Sequence, residues 1–239
     1  MYKNKTVSVV FPAYNEEENI YNAIRSFQSS EYVDEVIVVD NNSTDSTKSE
    51  IHKTTAIYVN EKTQGYGQAL MTGFKKAKGD LIITVEPDGT FSEDDLEKLL
   101  AYSKQFSVVF GSRTSSSLIW EKAYMPGWVR VGNWICAKVL ELLFSGPSLS
   151  DVGCTYKLVH KAALLKILPN LKVRGSHFSP HFMIIAIKLD FKCVEIPVNY
   201  KPRIGSSKIT GGNVFNTIKL GLHIFFFIIF ERIKIDKPY

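Results

Sequence analysis

The chain has 239 residues, enough to bury one substantial core, and its 45% hydrophobic and 22% charged residues are an ordinary globular balance. The net charge of +5 permits contact with phosphate or anionic lipid without calling for nucleic acid. Cys136, Cys154 and Cys193 are few, widely spaced and odd in number, which excludes a disulfide framework and suits a reducing compartment.

Residues 1–6 are polar and the apolar run after them ends at Pro12, so no secretory signal is expected. Residues 7–11 read as a strand. Pro12-Ala13-Tyr14-Asn15-Glu16-Glu17-Glu18 follows, then Ile20, Ala23, Ile24 and Phe27 at helical spacing. Asn15 is expected to cap that helix, with three glutamates in its first turn. Residues 35–39 form a second strand ended by Asp40, and Asn41-Asn42-Ser43-Thr44-Asp45 opens a polar helix. A weaker strand at 56–59 leads through Gly65-Tyr66-Gly67-Gln68 into a helix with Ala69, Leu70, Gly73, Phe74 and Ala77 on one face.

The run at 81–85 is short, apolar and β-rich, as in a strand buried on both faces. Glu86-Pro87-Asp88-Gly89 then takes the chain out of the sheet, because proline cannot donate to a ladder and glycine invites a turn. Strand and helix alternate up to Val85, which implies a mostly parallel sheet with helices on both sides. Ligands of such sheets bind outside the carboxyl ends of the strands. Two carboxylates there suit a hard divalent cation carrying a phosphorylated substrate, and a solvated acidic turn is the plain alternative.

Ser92 starts a helix through Leu96, Leu99 and Leu100. Residues 108–110 are a strand ending at Gly111-Ser112-Arg113, and a Ser-rich loop at 114–117 marks an internal boundary. A long apolar helix is expected at 129–144. The aromatics Trp120, Tyr124, Trp128 and Trp134 are read mainly as core packing, with a sugar or lipid groove as the other use. Ser179 and Pro180 mark a helix start, residues 194–200 a strand, and Pro197 an edge position. Residues 201–208, containing Arg203, Gly205 and Lys208, form a basic loop suited to phosphate.

Several readings fall away. The three glycines of a dinucleotide fingerprint are missing after the first strand. His177 and His181 flank the expected cap and do not make a zinc site. Cys154 has no neighbour in sequence to activate it and reads as a small buried residue. Asp40, Glu86, Asp88, Arg113, Arg203 and Lys208 remain, all at strand ends or in loops that converge. Around one anionic ligand they suggest a metal-bound diphosphate with cations on the leaving group.

These segments, in this order, resemble family 2 glycosyltransferases of the GT-A fold, and among them the polyprenyl-phosphate (dolichyl-phosphate) mannosyl and glucosyl transferases. The resemblance covers residues 7–208. It implies a nucleotide-sugar-binding half at 1–113, an acceptor half at 114–217 and a C-terminal apolar helix at 218–239. Pro12, Ala13, Tyr14, Glu16, Asp40, Asn42, Gly67 and Glu86 would bind the nucleotide, Asp40 addressing the base. Glu86-Pro87-Asp88 takes the place of the DXD motif and would hold Mg²⁺ or Mn²⁺. Asp88, Asp151, Arg113, Arg203 and Lys208 would carry catalysis. The chain departs from its relatives at Asn41, where many have a second aspartate, at Glu86, which replaces the first DXD aspartate, and at Thr90, where a glutamine is usual.

The expected reaction is inverting transfer of a hexose from a GDP- or UDP-linked donor to a polyprenyl phosphate at the cytoplasmic membrane face. A phosphate acceptor is already anionic and needs no strong base, whereas a hydroxyl acceptor would need one, with Asp151 the candidate. Extension of a glycan or glycolipid is the alternative enzyme, and a non-catalytic sugar-nucleotide-binding protein the alternative class. No run reaches the roughly 18–20 apolar residues that span a bilayer. The apolar segment at 218–235 is therefore expected to dock peripherally on the membrane, with packing on the domain or in a homo-oligomer as the other outcome.

Overall fold

In the computed structural model, which describes residues 1–205 and 213–234, one seven-stranded sheet organises the chain. The strands are β1 (Val7–Ala13), β2 (Glu35–Asp40), β3 (Ile57–Asn60), β4 (Leu81–Thr84), β5 (Val108–Ser112), β6 (Lys157–His160) and β7 (Cys193–Pro197). Their spatial order is β3-β2-β1-β4-β6-β5-β7. β1 to β4 are mutually parallel, and β5 pairs in parallel with β7. β6 runs antiparallel to both of its neighbours.

The helices are α1 (Ile20–Gln28), α2 (Thr47–Ile51), α3 (Tyr66–Lys76), α4 (Leu96–Tyr102), α5 (Gly127–Phe144), α6 (Lys161–Ile167), α7 (Phe178–Lys188) and α8 (Val214–Ile233). Two-residue alternation sends Val10, Ile37, Val39, Ile82, Val108 and Phe110 into a core shared with α3, α5, α6, α7 and α8. Val9, Phe11, Val38, Leu81, Ile83 and Val109 point to the opposite face, against α1, α2 and α4. Fully covered strands explain the apolar runs at 9–11, 36–39 and 81–83.

From β1 the chain passes to β2 and β3 on one side, then returns to β4 on the other. The carboxyl ends of β1 and β4 therefore flank a topological switch point, where open α/β sheets make their ligand crevice. The reversed β6 has a second consequence. Pairing Thr84 with Lys157 places the start of β6 beside the carboxyl end of β4, so residues 151–156 arrive at the same edge. The sequence reading did not include β6.

Four local expectations change. α1 begins at Ile20, and Glu16 precedes it in a turn whose carbonyl accepts from the Asn19 and Ile20 amides. Asn15 adopts a left-handed conformation (φ 54°) and ties the two loops after β1 and β2 together instead of capping. Its amide donates to Ser43 Oγ at 3.0 Å, and its side-chain oxygen accepts from the Thr44 amide at 2.8 Å. α7 begins at Phe178, leaving Ser179 inside the first turn, where its hydroxyl donates to the Val152 carbonyl and receives buried Lys157 Nζ. Trp120, Tyr124, Trp128 and Trp134 are all exposed, because α5 and the turn before it lie on the surface.

Two expectations hold: Ser92 Oγ accepts from the Asp94 amide to start the helix, and β7, ending at Pro197, is an edge strand.

α8 differs from its sequence reading in length. It runs for 20 residues and is long and apolar enough, by composition, to cross a membrane. Lys219 interrupts the apolar run but stays inside the helix, so the linear count of apolar residues missed its extent. Ile224 and Ile228 bury against the domain, while Phe215, Ile218, Leu222, Phe226, Phe230 and Ile233 are exposed at three- and four-residue spacing, on one face.

Candidate active site

Two cavities open at the carboxyl edge of the sheet. The first, of about 400 Å³, lies over the ends of β1 and β4 and is lined by Pro12, Ala13, Tyr14, Glu16, Asn41, Gln64, Tyr66, Ala69, Glu86, Pro87, Asp88 and Arg203. Seven of these were expected at the site. Asp40, Asn42 and Gly67 do not line it, and Lys208 lies outside the described residues.

Asp40 is buried with both oxygens engaged: Oδ1 accepts from the Ser43 amide at 3.0 Å and Oδ2 from the Tyr58 hydroxyl at 3.1 Å. Asn41 braces the wall. Its amide nitrogen donates to the Glu61 and Thr63 carbonyls, and its oxygen accepts from the Gly65 amide at 2.8 Å. An aspartate there could not make the two donations. Gly65 and Gly67 serve close packing, since a Cβ on Gly65 would lie 2.4 Å from the Arg174 carbonyl oxygen and one on Gly67 2.5 Å from Phe178.

Asp88 is held by hydrogen bonds on one side only. Its side chain is 2% exposed, and Oδ1 accepts from the Thr90 amide at 3.0 Å and the Thr90 hydroxyl at 2.5 Å. Thr90 therefore aims Oδ2, which takes no hydrogen bond of good geometry and faces the Arg203 guanidinium. Arg203 Nη2 also lies 3.5 Å from Glu86 Oε2. Burial first, then the neighbouring Asp88 charge, raises the Glu86 carboxyl above its ordinary value, against the pull of Arg203 and Arg113.

Behind these sits a second ion pair, whose carboxylate is fully buried. Asp151 Oδ2 accepts from Arg113 Nε at 2.8 Å and the Arg113 amide at 3.0 Å. Oδ1 accepts from Arg113 Nη2 at 3.0 Å and the Gly153 amide at 2.9 Å. Burial alone would raise the Asp151 carboxyl, but the Arg113 charge and these bonds outweigh it and hold it below the ordinary value. Glu195 of β7 fixes the same loop by accepting from the Ser150 and Asp151 amides at 2.8 and 3.1 Å. Arg113 also stacks over Tyr200 with its guanidinium carbon 5.4 Å from the ring centre.

The second cavity, of about 540 Å³, runs between α5 and α8 and is mostly apolar, with Trp128, Val129, Ile135, Ile218, Leu222 and Phe225 among its walls. Its inner end carries Arg113, Tyr66, Glu86 and Arg203. The two cavities share Tyr66, Glu86 and Arg203. Sequence reasoning missed Tyr66, since an aromatic at a helix start carries no local signature. The flanking Gly65 and Gly67 are the signs of a special turn that the sequence offers, and Gly65 adopts φ 149° there.

Among the described residues no group of three or more His, Cys, Asp or Glu could hold a metal. His177 and His181 do not converge on an ion: His177 Nδ1 meets His223 Nε2 at 3.3 Å, while His181 Nε2 receives the Lys172 amide at 3.1 Å. Glu86 and Asp88 offer two carboxylates. That fits Mg²⁺ or Mn²⁺, which completes its shell from substrate phosphates and water, and not an all-protein cage.

Residues 8–168 match the family model described as Glycosyl transferase family 2. A dolichyl-phosphate beta-glucosyltransferase of Trichomonas vaginalis is 25% identical over 93% of this chain and 71% of its own length. A UDP-N-acetylglucosamine–dolichyl-phosphate N-acetylglucosaminyltransferase of Methanococcus voltae is 28% identical over 89% of this chain and 94% of its own. The fold matches that of glucosyl-3-phosphoglycerate synthase from Mycobacterium tuberculosis, crystallised with Mn²⁺, uridine diphosphate and glucosyl-3-phosphoglycerate. The TM-score is 0.73 at 17% identity, covering 98% of this chain and 82% of that one. A further structure of that synthase contains Mg²⁺ and uridine diphosphate.

Proposed function

The chain belongs to glycosyl transferase family 2, and from that premise we propose that it moves a hexose from a nucleotide diphosphate sugar to a polyprenyl phosphate in a membrane. The observation that carries this reading is the meeting of two unlike cavities at Tyr66, Glu86 and Arg203. One mixes apolar walls with Glu16, Asn41 and Gln64 and ends at an acidic pair, as a nucleoside diphosphate requires. The other is apolar along its length and basic at its inner end, as a lipid phosphate requires. The names of the two relatives, both acting on dolichyl phosphate, support the same acceptor.

In this reading Pro12, Ala13, Tyr14, Asn41 and Gln64 surround the nucleoside. A Mg²⁺ or Mn²⁺ ion held by Glu86 and Asp88 would neutralise charge on the leaving diphosphate. Asp151 positions Arg113 and does not act as a base, because its lone pairs are committed and its carboxyl is held low. With Nε and Nη2 spent on that pair, Arg113 has Nη1 to present to the groove. A phosphate acceptor supplies its own anionic oxygen, so catalysis rests on alignment and charge neutralisation. Purified protein given a labelled nucleotide sugar and a polyprenyl phosphate should move label into the organic phase. Label transferred only to soluble hydroxyl acceptors would overturn the acceptor assignment.

The exposed stripe on α8, with Trp128, Val131 and Trp134 on neighbouring α5, is the surface this reading places against lipid. The same two helices carry Arg130, Lys219 and Arg232, with Lys234 just after α8, as suits an anionic bilayer. The protein should float with anionic liposomes, and Phe226→Glu with Phe230→Glu should abolish flotation without lowering the melting temperature by more than a few degrees. An intact protein that ignores liposomes would assign the stripe to a protein partner.

A further inference from the structure

Arg203 occupies the place where the acidic pair would receive a cation. One guanidinium nitrogen contacts Asp88 Oδ2, the oxygen that Thr90 aims and that has no good hydrogen bond, and the other lies 3.5 Å from Glu86 Oε2. We infer that Arg203 is an internal counter-ion of the metal seat: the guanidinium and the divalent cation compete for the same carboxylates, and a substrate phosphate draws the arginine off as the metal enters. This rests on the reading of Glu86 and Asp88 as that seat.

The competition follows from charge and contact. Asp88 has one uncommitted oxygen, since Oδ1 is held by Thr90, and a guanidinium and a metal ion cannot both touch Oδ2 without placing like charges in contact. Exchange requires that Arg203 have somewhere to go. Its side chain lines both cavities, so a phosphate oxygen in either lies within its sweep. Backbone geometry confines the movement to the side chain. The Lys201 amide donates to the Thr90 carbonyl at 2.9 Å and the Ile204 amide to the Asp88 carbonyl at 3.0 Å, pinning the chain on both sides of Arg203. Ile204 also rests on Gly89, and its carbonyl accepts from Asn19 Nδ2 at 3.2 Å.

The consequence is a coupling between ligands. The seat holds its own arginine until a phosphate competes for it, so the protein without nucleotide binds the ion weakly. Diphosphate and metal then strengthen one another through Arg203.

Mn²⁺ binding to the full chain without nucleotide, followed by electron paramagnetic resonance or calorimetry, tests this apart from turnover. Arg203→Gln should bind Mn²⁺ at least about tenfold more tightly than wild type, within the usual range of site-to-site coupling. Arg203→Lys, which keeps the charge but cannot bridge two carboxylates with two nitrogens, should fall between. Lys201→Gln removes a charge from the same loop, where Nζ sits on Ser92 Oγ at 2.9 Å, and should change affinity less than about twofold. Equal affinity in wild type and both Arg203 variants would overturn the inference, as would an equal gain in Lys201→Gln. If the gain in Arg203→Gln survives added Asp88→Asn, the ion sits elsewhere, and the seat and the inference fall together.

Discussion

Asp88→Asn should reduce transfer by about a thousandfold while leaving the protein folded, the range seen when a group stabilising a leaving anion is removed. The substitution is nearly isosteric. An asparagine Oδ1 still accepts from the Thr90 amide, so the turn after β4 keeps its shape. The change falls on Oδ2, the buried atom that faces Arg203 and is aimed into the cavity. An amide nitrogen there neither ligates a hard cation nor accepts from a guanidinium. Mn²⁺-dependent affinity for the donor nucleotide should disappear together with turnover. Glu86→Gln should be milder, because Glu86 is 19% exposed and lies farther from Arg203. Unchanged Mn²⁺-dependent donor affinity in Asp88→Asn would remove Asp88 from the metal seat, whatever happened to the rate.

The parts of this site legible in the sequence were those written in contiguous residues. β1, β2 and β4 are mainly apolar runs marked at their ends by Pro12, Asp40 and Glu86-Pro87, so their carboxyl ends are visible to within two residues, β1 continuing through Pro12 to Ala13, and with them the acids placed there. β6 was not. It has four residues with Lys157 and His160 at its ends, passes directly into α6, and is defined by partners distant in sequence, such as Leu81 opposite His160 and Val108 opposite Val159. Without β6 nothing places residues 151–156 at the site, so Arg113 and Asp151 appeared as separate candidates and not as one ion pair. The four exposed aromatics were misread for a related reason. Their hydrophobicity is in the sequence, but the surface position of α5, and the α8 that packs beside it, is set by tertiary arrangement alone. Thr90 stands for the reverse case: a departure from the family pattern becomes intelligible only when its amide and hydroxyl are seen holding Asp88 Oδ1.

Asp151→Ala should destabilise the fold by about 3–5 kcal/mol, because it leaves the mostly buried Arg113 charge without its counter-ion. Asp151 is fully buried and Arg113 is only 15% exposed, so solvent replaces the lost partner poorly. The Arg113 and Gly153 amides lose their acceptor as well. The penalty comes from breaking the pair and not from the pair's own strength. Arg113→Met combined with Asp151→Leu should accordingly recover most of the stability in denaturant titrations. Transfer should stay impaired in that double variant, since Arg113 is one of the two cations at the inner end of the groove. The pH dependence has a definite sign. A carboxyl whose folded pKa is depressed stabilises the fold above its unfolded pKa, near 3.9, and that contribution is lost as pH falls through the lower folded value. Wild type should therefore lose stability on acidification below about pH 4 more steeply than the double variant, which has no carboxyl there to protonate. A cost below about 1 kcal/mol for Asp151→Ala would show that Arg113 finds water or another acceptor, and would take from Asp151 its role in fixing the guanidinium.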